Sequence, residues 1–290
     1  MISREQLKLY YSLTKPGVLY GNALSALAGF LFASRGHINA FLFLALCIGT
    51  TFVIASACIL NNYLDQDIDK KMERTKKRAL VLGKIPGQNA IILSIILGVV
   101  GMIVLVLFTN LLVAVIGLVG FVDYVVLYGM LSKRRSIHGT LVGSISGATP
   151  ILAGYCAVTG TFDVGALLVF LIIFIWQMPE FYSISVYRMK EYKAAGVPVM
   201  SVVKGIKSTK IQIFIYTVLF VVSSLLPSVY GYAGKTYFVI MGVLGLYWLW
   251  LGYRGLTTTN DDAWAHKMFH FSLIILLAFC GAISIDSLLP

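Results

Sequence analysis

The chain has 290 residues, of which 59% are hydrophobic and only 12% charged, with a mean hydropathy of +0.88. A water-soluble domain carries about a quarter charged residues, so this composition excludes a soluble globule and calls for lipid as the solvent, with length for one membrane domain, 1–290, and none left for a large soluble one. The formal charge of +11 lies in the connections between apolar runs, where it reports membrane topology and an anionic substrate; nucleic acid is not expected as a partner.

Residues 1–15 are polar and mildly basic and form an N-terminal segment outside the bilayer. The apolar run after Pro16 is long enough to span and is read as a retained first helix, not as a cleaved leader. A crossing needs about 20 apolar residues, and nine segments qualify: 17–34, 40–62, 88–108, 111–131, 140–158, 163–180, 211–230, 236–252 and 269–288. Only Thr109 and Asn110 separate the third from the fourth, which predicts a tight helical hairpin. The eighth is the shortest. The fold class expected is all-α integral membrane, nine transmembrane helices around a central cavity. Cys47, Cys58, Cys156 and Cys280 all fall inside apolar runs without a CxxC pair, and read as packing residues rather than as disulfide or zinc ligands.

Orientation follows from the cations. With the N-terminus in the cytoplasm, the N-terminal segment and the connections after segments two, four, six and eight hold every one of the 23 Lys and Arg residues except Arg35 and Lys235. That bias predicts a multi-pass protein of the inner (cytoplasmic) membrane, N-terminus inside, C-terminus on the outer side. Two inner connections, 63–87 and 181–210, are long and charged, and long polar loops on a bundle are usually functional.

The second segment ends in Asn61-Asn62-Tyr63-Leu64-Asp65-Gln66-Asp67-Ile68-Asp69, followed by Arg74, Lys77 and Arg78. Asn61, Asp65 and Asp69 are spaced by four, so each step turns only about 40° if the helix continues. The three form one polar stripe, with Asp67 on the opposite, solvated side. Carboxylates on one face repel each other and need a cation between them. Magnesium suits the place, because it takes one or two carboxylates and completes its shell with phosphate oxygens and water. Arg74, Lys77 and Arg78 then serve as phosphate partners. A solvated juxtamembrane loop would explain these cations, but not a polar stripe that starts inside an apolar helix.

The spacing N-x-x-x-D-x-x-x-D resembles the first signature of the UbiA superfamily of intramembrane prenyltransferases. The string NNYLDQDIDKKMERTKKRAL resembles the protohaem IX farnesyltransferase (haem O synthase) branch, as do LTKPGVLYGN at 13–22, SKRRSIHGTLVGSISGATPILAGYCAVTG at 132–160 and WQMPEFYSISVYRMKEYKAAGVPVMSVVKGI at 176–206. The resemblance covers nearly the whole chain. It implies nine helices around a cavity capped by the two inner loops, Mg2+ as cofactor, and transfer of a farnesyl group from farnesyl diphosphate to a vinyl carbon of haem B. Water then adds, giving haem O for terminal oxidases. Membrane lipid and other haem-pathway or oxidase-assembly proteins are the remaining partners implied.

Within that resemblance Asn61, Asp65 and Asp69 are the catalytic stripe, Asp65 and Asp69 the metal ligands. Where most of the superfamily carries a second Asp-rich signature, residues 187–193 read Tyr-Arg-Met-Lys-Glu-Tyr-Lys, basic and aromatic with one acid. That departure speaks against a second carboxylate-held magnesium and makes Arg188, Lys190 and Lys193 candidates for phosphate or a haem propionate. Tyr124, Tyr128, Tyr182, Tyr187 and Tyr192 are candidates for shielding an allylic cation. Asp123, near the middle of the fourth segment, costs about 2.5–3.5 kcal/mol to insert as a charge, so it faces the cavity or is protonated. Glu180 stands in WQMPE where the branch commonly has His, which argues against iron ligation at that position. His37, His138, His266 and His270 are scattered and none is named as a haem ligand. Ser208 or Thr209 is expected to cap the seventh helix, with Lys207 beside it. The competing readings are a prenyltransferase for an aromatic quinone precursor, against which the basic second loop counts, and a transporter, which would show interrupted helices in matched halves.

Overall fold

Each apolar segment becomes one helix. The computed structural model describes residues 4–286. Residues 1–3 of the N-terminal segment and 287–288 of the last apolar segment lie outside the described residues. Among those described, nine helices are long and apolar enough to cross a membrane: α2 (Pro16–Ser34), α3 (Ala40–Leu64), α5 (Gly87–Phe108), α6 (Leu111–Arg135), α7 (Gly139–Thr159), α8 (Val164–Tyr187), α10 (Met200–Val229), α11 (Lys235–Gly255) and α12 (Asp261–Ile285). Three short helices lie outside them: α1 (Arg4–Leu13), α4 (Gln66–Asp69) and α9 (Met189–Ala195).

The α5–α6 hairpin turns at Thr109 and Asn110. The Asn110 side chain accepts from the Val113 amide at 3.0 Å and caps α6, while its own amide donates to the Cys156 carbonyl of α7. Asn39, Asp163 and Asn260 cap α3, α8 and α12 in the same way. The eighth apolar segment is a full 21-residue helix, because Lys235, Arg254 and the residues near them extend it at both ends. The sixth runs on to Tyr187 and the ninth starts at Asp261, well before its apolar stretch. α10 begins at Met200 and is broken at Gly205 (φ 79°, ψ 168°). Ser208 and Thr209 are therefore not caps; the Thr209 hydroxyl donates to the Gly205 carbonyl at 2.9 Å.

Close backbone approach joins the helices at several crossings, as expected where lipid is as apolar as leucine, beside a buried cluster of large apolar side chains that includes Phe30, Phe220, Tyr237 and Trp248. α3 packs on α5, α2 on α7 and α8 on α10. At the α2–α7 crossing, a Cβ at Gly29 would meet the Ile151 carbonyl and one at Gly154 the Ala26 carbonyl. Ser56 and Ser94 bridge α3 and α5. Gly154→Leu should therefore part the two helices, because backbone cannot yield as a side chain can; overpacking costs at least about 1–3 kcal/mol. Gly281→Leu, with nothing within 4 Å of its Cβ position, is the control. The expected result is loss of most monodisperse, detergent-extracted protein for Gly154→Leu and none for Gly281→Leu, measured by size exclusion.

The two long connections, 63–87 and 181–210, are more ordered than long polar loops. Residues 63–87 carry α4 and a run of turns; residues 181–210 are mostly the end of α8, the helix α9 and the start of α10. Gly196, at φ 72°, reverses the chain after α9. Ile68 and Met72 of the first connection pack against Ala195 and Val197 of the second, with Tyr192 and Val199 alongside. This small apolar cluster joins the two into one cap over the bundle.

Candidate active site

Asn61, Asp65 and Asp69 all line one cavity, as their spacing leads one to expect, although the helix does not run straight through. α3 ends at Leu64, Asp65 sits at the break with φ −91° and ψ 8°, and α4 resumes for one turn. Arg134 of α6 secures the break: one nitrogen donates to the Leu64 carbonyl at 2.7 Å, and its fork grips both Asp67 oxygens at 2.7 and 2.8 Å. Asp67 is exposed as expected, and the guanidinium bonded to it holds its carboxyl down at about 2. Asp65 and Asp69 are buried, 1% and 4% exposed.

Each buried carboxylate already has a cation. Lys133 of α6 bonds Asp65 at 2.5 Å, and Arg78 bonds Asp69 at 2.5 Å. Lys15, from the turn before α2, donates to the Asn61 side-chain oxygen and lies 3.5 Å from the Tyr124 hydroxyl. Burial pushes the Lys15 ammonium down to about 8. Its backbone is left-handed (φ 52°, ψ 69°), one of two such non-glycine residues described. Next to it, Asn62 donates to the Leu13 carbonyl at 2.7 Å and fastens α1 to α3.

Below this mouth lies a cavity of about 780 Å³, within the upper range of small-molecule sites. Its mouth is lined by Asp65, Asp69, Lys15, Arg74, Arg78 and Lys133, and its depth by apolar residues such as Val53, Leu105, Phe121, Ile173, Trp176 and Leu276. Tyr124 and Tyr128 face it from an unusual stretch: residues Asp123–Ser132 of α6 are π-helical, a rare geometry frequently found at functional sites. The wider turns bring Tyr124, Tyr128 and Lys133 to the same wall; the two rings lie 5.9 Å apart, and the Lys133 ammonium 5.9 Å from the Tyr128 ring. Tyr192 reaches the cavity from the cap, with Val197, Pro198 and Val199; burial raises its phenol above the ordinary range.

Several predicted residues are placed elsewhere. Lys77, Arg188, Lys190 and Lys193 do not line the cavity. Arg188 turns to Glu191 at 2.8 Å and lies over the Tyr187 ring, because the helical start of the second connection points Tyr192 rather than its neighbours inward. Tyr187 stacks on His266 at 3.9 Å, and Tyr182 packs edge-on to Tyr216. Asp123 is 1% exposed but belongs to the α6–α7 contact, accepting from the Ser146 amide at 3.0 Å. Lys15, Lys133 and Arg134 were missed in the sequence, where an expected positive-inside bias accounts for the cations of the N-terminal segment and the connections. The one available signal was the isolated lysine directly before Pro16, at the edge of an apolar run.

A divalent cation fits this mouth. Asp65 Oδ1 is buried without a hydrogen-bond partner, the Arg134 nitrogen being 3.6 Å away. The donors are hard carboxylate oxygens. No group of three or more His, Cys, Asp or Glu residues gathers among those described, so a metal held here would take only part of its shell from the protein and the rest from phosphate and water, as magnesium prefers.

The UbiA prenyltransferase family pattern matches residues 22–274. The chain belongs to the UbiA prenyltransferase family. Among family relatives, the protoheme IX farnesyltransferase of Yersinia pseudotuberculosis serotype O:1b (strain IP 31758) is 46% identical over 280 residues, 97% of this chain and 95% of that one. That of Edwardsiella ictaluri (strain 93-146) is 45% identical over the same shares. The fold recurs in solved UbiA-type structures. A digeranylgeranylglyceryl phosphate synthase superposes with TM-score 0.82 at 22% identity, over 98% of this chain and 99% of its own. A UbiA homolog from Archaeoglobus fulgidus, bound to GPP and Mg2+, does so with TM-score 0.72 at 14% identity, over 95% and 99%.

Proposed function

We propose that this UbiA-family chain transfers a farnesyl group from farnesyl diphosphate to a vinyl group of haem B, giving haem O and pyrophosphate, in haem biosynthesis for terminal oxidases. The observation that carries the reading is the cavity itself: two carboxylates and four cations at its mouth, an apolar depth behind them. A diphosphate with an isoprenoid tail has that same division of polarity. The near-full-length relatives named protoheme IX farnesyltransferase support haem as the acceptor, and the homolog holding GPP and Mg2+ supports the metal-diphosphate half. The distribution of Lys and Arg supports an inner-membrane placement with the N-terminus and the cavity mouth cytoplasmic and the C-terminus outside. Residues 1–290 act as one domain, with connections 63–87 and 181–210 as its functional cap.

Asp65 and Asp69 would hold magnesium, which when bound draws charge from the leaving diphosphate oxygens. Lys15, Arg74, Arg78 and Lys133 stabilise the remaining charge on those oxygens, and Asn61 holds Lys15 in place for it. Such preorganised charge is worth most in a water-excluded site. The Tyr124 and Tyr128 rings lie beside the mouth, where an allylic cation forms, and shield it. The apolar wall keeps water from the cation until the vinyl group reacts. Lys77, Lys190, Lys193 and Arg188, outside the lining, steer the anionic substrate from a distance. Tyr187 and Asp123 hold the wall rather than face the substrate.

The test is purified protein in detergent with farnesyl diphosphate and haem B. The expected product is haem enlarged by a farnesyl group and one hydroxyl, with equimolar pyrophosphate, and none when EDTA removes magnesium. Preferential farnesylation of aromatic acids would move the acceptor to a quinone precursor. Absence of pyrophosphate release would refute the enzyme reading.

A further inference from the structure

Besides Asp65 and Asp69, Glu180 is the one acidic side chain that lines the cavity among the described residues. It is 8% exposed and belongs to a membrane-spanning helix. No hydrogen bond or ion pair joins it to another described residue, in contrast with Asp65, Asp69 and Asp123. A buried ionisable group without a partner inside a span is expensive and generally functional.

Its position is informative. Glu180 precedes the inner end of α8, Tyr187, by seven residues, so it lies about 10 Å deeper along the helix axis. It continues a cavity-facing row made of Ile173, Trp176, Gln177, Phe181 and Ile184. Gln177 is spoken for: its amide donates to the Ser144 and Ile173 carbonyls at 3.1 and 3.0 Å. Across from it Gly147 leaves no room, since a Cβ there would meet the Gln177 side chain. Glu180 is thus a free carboxyl in the apolar part of the cavity, removed from the diphosphate mouth and its cations.

We propose that Glu180 is a catalytic residue for the second half of the reaction, binding the water that captures the acceptor cation and taking its proton. The inference rests on the farnesyl-to-haem reading. The farnesyl C–O bond breaks with its electron pair leaving on pyrophosphate. The vinyl π pair forms the new C–C bond, which leaves a positive charge on the carbon beside the porphyrin ring. A lone pair of water forms the C–O bond to that carbon, and the excess proton of the water passes to the Glu180 carboxylate. No oxidant or reductant is needed.

Glu180→Gln keeps the shape and hydrogen-bonding capacity but removes the base. With farnesyl diphosphate and haem B, the variant is expected to release pyrophosphate within about tenfold of the wild-type rate, while its product shifts from the hydroxylated form to one lighter by a single water, the cation losing a proton instead of gaining hydroxyl. In water enriched in oxygen-18, label in the product should fall in parallel. Glu180→Asp, one methylene shorter, should give an intermediate ratio, and reads the same partition if Glu180→Gln does not survive extraction. An unchanged ratio of hydroxylated product in folded variants would overturn the proposal, as would loss of pyrophosphate release together with both products, which would make Glu180 a binding group. If wild-type protein itself releases no pyrophosphate, the underlying reading fails first, and the two failures are told apart by that control.

Discussion

Asp65→Asn is expected to lower farnesyl transfer by about 10²–10³-fold, the usual cost of removing one preorganised electrostatic partner from a reacting site, while the chain still inserts. The carboxylate is 1% exposed and faces two cations, the Lys133 ammonium bonded at 2.5 Å and an Arg134 nitrogen 3.6 Å from its other oxygen. Asparagine preserves size and leaves a hydrogen-bond acceptor for Lys133, but the net positive charge of the mouth then rises by one and a metal loses a ligand. The loss should fall on kcat and on magnesium dependence rather than on haem affinity. Asp65→Ala with Asp69→Ala should abolish turnover, with protein of normal size-exclusion behaviour as the check on folding. Full activity with both carboxylates gone would overturn the metal-site assignment. A fall in yield is expected too, since a partly buried Lys133 without its carboxylate is costly.

The second large effect is at Lys15, where stability and activity should part. Its left-handed backbone costs a non-glycine residue about 1–2 kcal/mol, and it stands immediately before Pro16, a position already restricted. That strain presents the ammonium to Asn61 and Tyr124. Strained positions of this kind gather at functional sites. Lys15→Gly relieves it, and even after the entropic disadvantage of glycine the variant should unfold in detergent at or above the wild-type temperature, and above Lys15→Ala. Both variants should lose about 10²-fold in activity, because a phosphate-facing cation is gone. A Lys15→Gly protein that is clearly less stable, or fully active, would mean that the turn is only a connector.

The stripe of Asn61, Asp65 and Asp69 was legible because it is local: four-residue spacing fixes one face whatever surrounds it. The nine crossings were legible for a similar reason, since hydrocarbon thickness sets a length that composition reveals. What escaped is tertiary. Lys133 and Lys15 are 68 and 46 residues from their partners, and a topological charge bias gives every such cation a ready explanation, so only the place of Lys15 directly before Pro16 set either of them apart. The basic second connection misled in the opposite sense. Its charges are conspicuous in sequence, yet the helix that carries them turns Tyr192 inward and leaves Arg188 on Glu191. The π-helical stretch of α6 has no sequence pattern to announce it, and without it Tyr124, Tyr128 and Lys133 would not share a wall. Glu180 was visible as an acid in an apolar run; only packing shows that it has no partner.

The ion pairs at the mouth bear on how two ligands are admitted. Asp65 and Asp69 rest on Lys133 and Arg78, so the carboxylates are already compensated. A lone divalent ion would have to displace these cations and leave them stranded. A lone diphosphate would compete with the carboxylates for the same cations. Bound together they would exchange partners: Asp65 and Asp69 would hold the metal while Lys133 and Arg78 took the phosphates. On that arrangement metal and diphosphate would be thermodynamically coupled, each raising the affinity of the other by the same factor, and the mouth would discriminate against either one arriving alone.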